Sequence, residues 1–248
     1  MKYILTSSPA LDDRNELNNA FGFTTFMKQI YRAPIRALYV ASVPNDMELT
    51  TEYANRLKES FETSGFKFLE WNILDLSTSD MAEEWIKDSD LVILAGGHTP
   101  TENMLFTELG LKDLLKSFSG ALMGISAGSM NMAETVYAQP EEEGEAVDPG
   151  YVKFFPGLGF TKSNVIPHYD YIKDLKVDGL DPIDEIAVPD SVGRKFYVLR
   201  DGSFIVSSIF AQELVAAGLL GNKIDGGEII IGDYFEIRDG KSLKPAFF

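Results

Sequence analysis

One short stretch, residues 122–133, constrains the fold more than any other part of the chain. It reads LMGISAGSMNMA, which is an apolar strand-like run, then Gly-x-Ser-x-Gly around Ser126, then small residues that can begin a helix. This order is typical of a nucleophile elbow, a sharp strand-to-helix turn that presents a serine hydroxyl at the edge of an α/β sheet. The two glycines would let strand and helix pack closely around a strained residue. The competing interpretation is a glycine-rich turn that holds a serine by chance.

Strand-like and helix-like segments alternate from the N-terminus to this turn. Apolar strand patterns occur at residues 3–8, 35–41, 66–74, 90–95 and 120–125, and helical patterns at residues 15–31, 49–64, 80–87 and 104–115. Such alternation predicts an α/β fold, with a mostly parallel sheet flanked by helices on both faces. Ligands of such sheets bind outside the carboxyl ends of the strands. Both Gly96-Gly97 and Ser126 would lie at that edge.

The pattern changes after the elbow. Residues 139–150 are acidic and punctuated by Pro and Gly, which predicts a loop. In the C-terminal part, Arg200-Asp201-Gly202 lies between the strand-like segments 195–199 and 203–208 and predicts a hairpin. The tail therefore reads as an antiparallel extension of the sheet. Since there is no internal repeat and no linker-like stretch, we expect residues 1–248 to form one domain.

The composition limits the partners of the protein. The 248 residues carry a formal net charge of −16, which would repel nucleic acid and anionic membranes over most of the surface. The chain has no cysteine, hence no disulfide and no thiol nucleophile. No apolar run approaches the roughly 18 residues that span a bilayer, and the N-terminus lacks a signal-peptide pattern. We expect a cytoplasmic protein.

The apolar C-terminal strands and residues 245–248 favour a covered edge, as in a homodimer.

A serine hydroxyl is a weak nucleophile, so it needs a base, a group that orients the base, and donors for the oxyanion. The chain has two histidines. His168 follows a strand-like run and Pro167, at the expected active edge, and is the favoured base. His98 directly follows Gly96-Gly97 on the same edge and is the second candidate.

The other parts of the machinery are less constrained. Elbow geometry supplies the backbone N–H of Ala127, and the turn at Gly97 can supply a second donor. The alternative for the glycine pair is a plain turn or an anion-binding nest. Several carboxylates lie between Ser126 and His168, and spacing alone does not choose among them. They are Glu141, Glu142, Glu143, Glu145 and Asp148.

Three motifs together, GISAGS at residues 124–129, Gly96-Gly97 and Pro167-His168, resemble the dipeptidase E and cyanophycinase family of serine peptidases. The resemblance runs from the first strand through His168, about two-thirds of the chain. It implies a sheet similar to that of the class I glutamine amidotransferases and a Ser-His-acid triad. The acid of the family falls on Glu141, with the next two glutamates as alternatives, and its oxyanion donors fall on Gly97 and Ala127.

Two positions depart from the family pattern. The third glycine and the asparagine that are usual around the first turn are missing from Ala95-Gly96-Gly97-His98, so an asparagine contact to the substrate is lost or is replaced by His98. In the aspartyl dipeptidases, an arginine roughly a dozen residues after the histidine holds the acidic side chain. This chain has Lys173 and Lys176 there and no arginine before Arg194. The resemblance therefore does not extend to aspartyl specificity.

We expect a serine peptidase that hydrolyses a small peptide through an acyl-enzyme. Ser126 would attack, His168 would act as base, Glu141 would orient the imidazole and His98 would contact the substrate, with no metal or organic cofactor. An esterase or amidase using the same residues is the first alternative. The second is a catalytically silent amidotransferase-like binding module, against which the complete set of serine, histidine and carboxylate argues.

Overall fold

The computed structural model describes residues 1–11, 13–44 and 46–245. Residues 246–248, part of the C-terminal end that suggests a covered edge, lie outside this range. Among the described helices, none is long and apolar enough to cross a membrane. The strands are β1 (Lys2–Thr6), β2 (Ala10–Leu11), β3 (Glu16–Leu17), β4 (Ile35–Val40), β5 (Phe68–Leu74), β6 (Leu91–Leu94), β7 (Ala121–Ile125), β8 (Thr135–Tyr137), β9 (Phe154–Pro156), β10 (Asn164–Ile166), β11 (Lys195–Leu199), β12 (Phe204–Val206), β13 (Asn222–Lys223), β14 (Ile229–Ile231), β15 (Tyr234–Arg238) and β16 (Lys241–Ser242).

The helices lie mostly between the strands of the first half. They are α1 (Phe23–Ile30), α2 (Met47–Thr63), α3 (Ala82–Asp88), α4 (Thr99–Glu108), α5 (Leu111–Leu114), α6 (Ala127–Asn131), α7 (Tyr169–Ile172), α8 (Val188–Asp190) and α9 (Ala211–Ala216). Short 3-10 helices occur at Leu76–Met81, Leu115–Ser117, Ser208–Phe210 and Asp225–Gly227, and a π-helical turn at Pro182–Ala187.

The main sheet has eight strands in the order β13-β14-β12-β1-β7-β6-β4-β5. The five strands β1, β7, β6, β4 and β5 are parallel to one another, and β12, β14 and β13 continue the sheet in antiparallel pairing. This confirms the prediction of a mostly parallel sheet with an antiparallel C-terminal extension.

Both faces of the main sheet are covered. In β4, Leu38 and Val40 pack into the core on one face, with α3 to α6, whereas Ala37 and Tyr39 pack into the core on the other face, with α1, α2 and α9. Adjacent residues of a strand point to opposite faces, so a strand covered on both sides must be apolar throughout. This explains the uninterrupted apolar runs of the sequence.

A second sheet of four strands, in the order β10-β11-β15-β16, packs around its own cluster of buried residues. The predicted hairpin at Arg200-Asp201-Gly202 is wrong. β11 pairs with β10 and β15 in the small sheet, whereas β12 pairs with β1 and β14 in the main sheet. Both strands are almost entirely buried. Each is therefore hydrogen-bonded along both edges, β11 within the small sheet and β12 within the main sheet. The turn between them therefore connects the two sheets.

The predicted helix at residues 15–31 is shorter than the apolar pattern suggests. Glu16–Leu17 pairs with Ala10–Leu11 as a small antiparallel ribbon, and the helix begins only at Phe23. Gly22 has φ +83°, and the chain turns there before the helix starts.

Candidate active site

Ser126 lies in the strained backbone position expected of a nucleophile elbow. It connects β7 to α6 with φ 51° and ψ −115°, outside the regions that side-chain-bearing residues usually adopt. A Cβ at Gly124 would lie 2.6 Å from the Ser129 backbone, and one at Gly128 would lie 2.4 Å from the carbonyl oxygens of strand β6 and the residue after it. Both glycines of the motif are therefore required by close packing of strand and helix.

His168 lies where β10 ends and α7 begins, and it too has a positive φ, 57°. Its Nδ1 is 2.8 Å from Oδ1 of Asp201, in the turn that connects the two sheets. Ser7, at the end of β1, donates its hydroxyl to the same carboxylate oxygen at 2.6 Å and accepts the His168 backbone N–H at 2.7 Å. Three segments distant in sequence thus fix the imidazole.

The environment of Asp201 favours its ionised form. Burial raises the pKa of this carboxyl, but hydrogen bonds from His168 and Ser7 and the charge of His168 outweigh it, so the pKa lies below its ordinary value. A carboxylate at Nδ1 leaves Nε2 as the ring nitrogen available to a neighbouring hydroxyl.

Glu141 and His168 line the same cavity, but among the described contacts no hydrogen bond joins them. Oε1 of Glu141 instead accepts the backbone N–H of Thr99, the first residue of α4, at 3.2 Å, and residues 142–143 are exposed. The sequence predicts an acid between nucleophile and base in the chain, whereas the carboxylate that meets His168 in the structure is Asp201. The connection between the two sheets brings Asp201 there from the C-terminal side of the histidine.

The turn Gly96-Gly97 follows β6 and lies beside the elbow, as expected. A Cβ at Gly96 would lie 3.2 Å from the Cβ of Ser126, and one at Gly97 would lie 2.8 Å from the Cβ of Ser42. The absence of side chains lets this turn approach Ser126 closely, and both glycines line the same cavity as the serine. Ala127, the other expected oxyanion donor, is the first residue of α6.

His98 is held on both sides of its ring. Nδ1 is 2.7 Å from Oγ1 of Thr101, and Nε2 is 2.8 Å from Oε1 of Glu145. Oε2 of Glu145 accepts the backbone N–H groups of Glu141 and Glu142 at 2.9 and 3.0 Å. His98 thereby ties the acidic loop to the glycine turn, next to the elbow. Burial raises the pKa of Glu145, but the two backbone N–H groups and His98 outweigh it and lower the pKa.

The same region contains the one group of described side chains with metal-ligand spacing. Ligand atoms of His98, Glu142 and Glu145 lie within 4.8 Å of one another. Within this group, Nε2 of His98 and Oε1 of Glu145 share a hydrogen bond.

Two cavities meet at Ser126 and His168, which line both. The larger has a volume of about 520 Å³ and is lined on one side by Tyr39, Asn15 and Arg56. The smaller, of about 320 Å³, is largely apolar. Concave sites of this size next to a potential nucleophile are typical of small-molecule binding.

The fold and the site together define a serine hydrolase built on a mostly parallel α/β sheet. The chain belongs to peptidase family S51, whose model matches residues 3–207. This confirms the resemblance to the dipeptidase E family that the motifs indicate. The enzyme class is accordingly that of the serine peptidases.

Two solved structures share the fold. A peptidase from an acI-B1 Actinobacterium is 15% identical, with a TM-score of 0.58, over 98% of this chain and 96% of that one. A protein of Listeria monocytogenes EGD-e that is provisionally called peptidase E is 14% identical, with a TM-score of 0.57, over 83% of this chain and 93% of that one. At these identities the likeness concerns the fold. A search of the curated proteins found no match.

Proposed function

We propose that this peptidase hydrolyses small peptides through a triad of Ser126, His168 and Asp201. The observation that carries the proposal is the contact of 2.8 Å between Nδ1 of His168 and Oδ1 of Asp201, at a cavity lined by Ser126. Asp201 holds the tautomer in which Nε2 can accept the serine proton, and stabilises the imidazolium that forms.

The reaction runs in two steps. Oγ of Ser126 attacks the peptide carbonyl as its proton passes to Nε2 of His168, and that proton then goes to the leaving amine. Water, activated by the same nitrogen, adds to the acyl-enzyme and releases the acid. The backbone N–H groups of Gly97 and Ala127 stabilise the oxyanion in both steps. The steric need for glycine at residue 97 and the strained turn at residue 126 support this assignment.

His98 contacts the substrate in this proposal. Its ring lines the smaller cavity with Ser126, and its two hydrogen-bond partners fix its position. The scheme uses no metal ion or organic cofactor. The cytoplasmic location and the homodimer remain predictions from the sequence.

Labelling by a fluorophosphonate probe tests the nucleophile. The native protein should be labelled once, at Ser126, and Ser126→Ala should abolish labelling, as mass spectrometry of the intact protein would show. The exposed Ser117 provides the control, since it precedes β7 and so lies towards the end of that strand opposite the elbow. Ser117→Ala should label like the native protein. Undiminished labelling of Ser126→Ala would disprove the assignment.

A further inference from the structure

The two cavities that meet at Ser126 differ in chemistry, and this difference bears on the substrate. The smaller cavity is lined by side chains from α6, the end of β10, α7 and the segment that follows it, and the π-helical turn. Its principal apolar members are Met130, Ile166, Ile172, Leu175, Val177 and Pro182. Met130, Ile166, Val177 and Pro182 are buried, so this wall is fixed by the core beneath it.

No lysine or arginine of the described chain lines the smaller cavity. Two lysines lie next to cavity-lining residues in the sequence, but each forms an ion pair with an aspartate outside the cavity lining. Nζ of Lys173 is 3.4 Å from Asp170, and Nζ of Lys176 is 3.8 Å from Asp181. A carboxylate side chain placed in this cavity would lose water without gaining a cation, which is costly. The net charge of −16 adds to this penalty.

Both cavities have charged side chains in their lining. Glu141 and Glu142 line the smaller cavity, whereas Arg56 lines the larger. In a dipeptide, the residue on the acyl side of the scissile bond bears the ammonium group, and the leaving residue bears the carboxylate. Charge complementarity to Glu141 and Glu142 therefore directs the ammonium-bearing acyl residue towards the smaller cavity.

We infer that the smaller cavity binds an apolar side chain of the acyl residue, and that the enzyme prefers short peptides that begin with a large apolar residue. This inference rests on the proposed peptidase function and adds the substrate class. The volume of about 320 Å³ and the buried apolar wall fit such a side chain.

A matched set of dipeptides tests the inference on the native protein. Leucyl-alanine, aspartyl-alanine and alanyl-alanine share the leaving residue and differ only in the acyl side chain. We expect kcat/KM for leucyl-alanine to exceed that for aspartyl-alanine by about 100-fold or more, and that for alanyl-alanine by about tenfold or more. Equal cleavage of the three, or a preference for aspartyl-alanine, would overturn the inference.

Two substitutions at the half-buried Leu175 test whether this cavity sets the preference. Leu175→Arg should reduce the ratio of leucyl- to aspartyl-alanine cleavage by about tenfold or more, because the arginine adds a cation and removes apolar surface. Leu175→Ala should lower kcat/KM for leucyl-alanine by a larger factor than that for alanyl-alanine, because the lost apolar surface faces the larger side chain. Leu220, which is 96% exposed, provides the control. Leu220→Arg should keep the native ratio.

Fluorophosphonate labelling of every variant separates the possible failures. If the native protein is not labelled, the proposed serine peptidase function fails. If the native protein is labelled and the Leu175 variants are labelled but keep the native substrate ratio, the peptidase assignment stands and the inference about the smaller cavity is wrong.

Discussion

His168 and Asp201 are 33 residues apart in the chain, yet Nδ1 of the imidazole lies 2.8 Å from the carboxylate. The histidine follows a strand of the small sheet, and the aspartate lies in the turn that leads from the small sheet to the main one. The contact therefore depends on the way the two sheets join. A packing feature of the whole fold, and no local motif, sets the orientation of the candidate base.

Replacing Asp201 by asparagine should lower kcat by about 10⁴-fold, the scale known for removing the orienting carboxylate of a Ser-His-Asp triad. Asparagine keeps the shape of the side chain but favours the wrong tautomer of His168. Steady-state kinetics on a cleaved dipeptide would measure the loss. Glu143, an exposed member of the acidic loop, gives the matched control, and Glu143→Gln should retain native kcat. A larger loss of kcat in Glu143→Gln than in Asp201→Asn would indicate that the orienting carboxylate belongs to the acidic loop.

Ser7 is a positioning residue for the same pair. Its hydroxyl contacts both the Asp201 carboxylate and the His168 backbone, and its side chain is buried. Ser7→Ala should lower kcat by roughly 10- to 100-fold, since a buried hydrogen bond to a charged group is lost, with little change in KM. The buried Ser203, whose hydroxyl donates to the Asp233 carbonyl at 2.9 Å, provides the control. A loss of the same size in Ser203→Ala would indicate a general loss of stability.

The parts of the site that follow local rules could be predicted from the sequence. Gly-x-Ser-x-Gly requires a strand before it and a helix after it, and the alternation of apolar segments locates Gly97 at the same edge. Asp201 could not be predicted in this way. The segments on either side of it are apolar enough to pair with any buried edge, so an Asp-Gly turn between them looks like a hairpin tip. Which sheet each strand joins is decided by long-range packing, and no short sequence pattern encodes it.

Gly128→Ala should disrupt the elbow. A Cβ at this position would lie 2.4 Å from the carbonyl oxygens of Leu94 and Ala95, which are backbone atoms that cannot move aside cheaply. We expect the free energy of unfolding to fall by about 1–3 kcal/mol and fluorophosphonate labelling to slow markedly. Urea unfolding and labelling rates would measure both. Gly150→Ala, where the nearest atoms belong to the Asp148 side chain, should change stability by about 0.5 kcal/mol or less.

Glu102 should make the protein less stable as the pH rises. The carboxyl is fully buried in α4, where Oε2 accepts a hydrogen bond from Asn131 at 2.9 Å and Oε1 has no partner among the described residues. Burial raises the pKa of Glu102 well above the ordinary 4.5. The folded state therefore keeps this proton at a pH where the unfolded chain has released it.

The sign of the effect follows from proton binding. Below the ordinary pKa of 4.5 both states hold the proton, and the contribution of Glu102 to stability is complete. Above it the unfolded state binds fewer protons, so this contribution falls by about 1.4 kcal/mol per pH unit until the folded group ionises. Glu102→Gln imitates the protonated form. Its free energy of unfolding should therefore rise relative to that of the native protein by about 1.4 kcal/mol for each pH unit above 4.5, until the folded native group ionises. Urea unfolding at several pH values would measure it, with Glu108→Gln on the exposed side of α4 as the control. A difference between Glu102→Gln and native protein that does not change with pH would contradict the prediction.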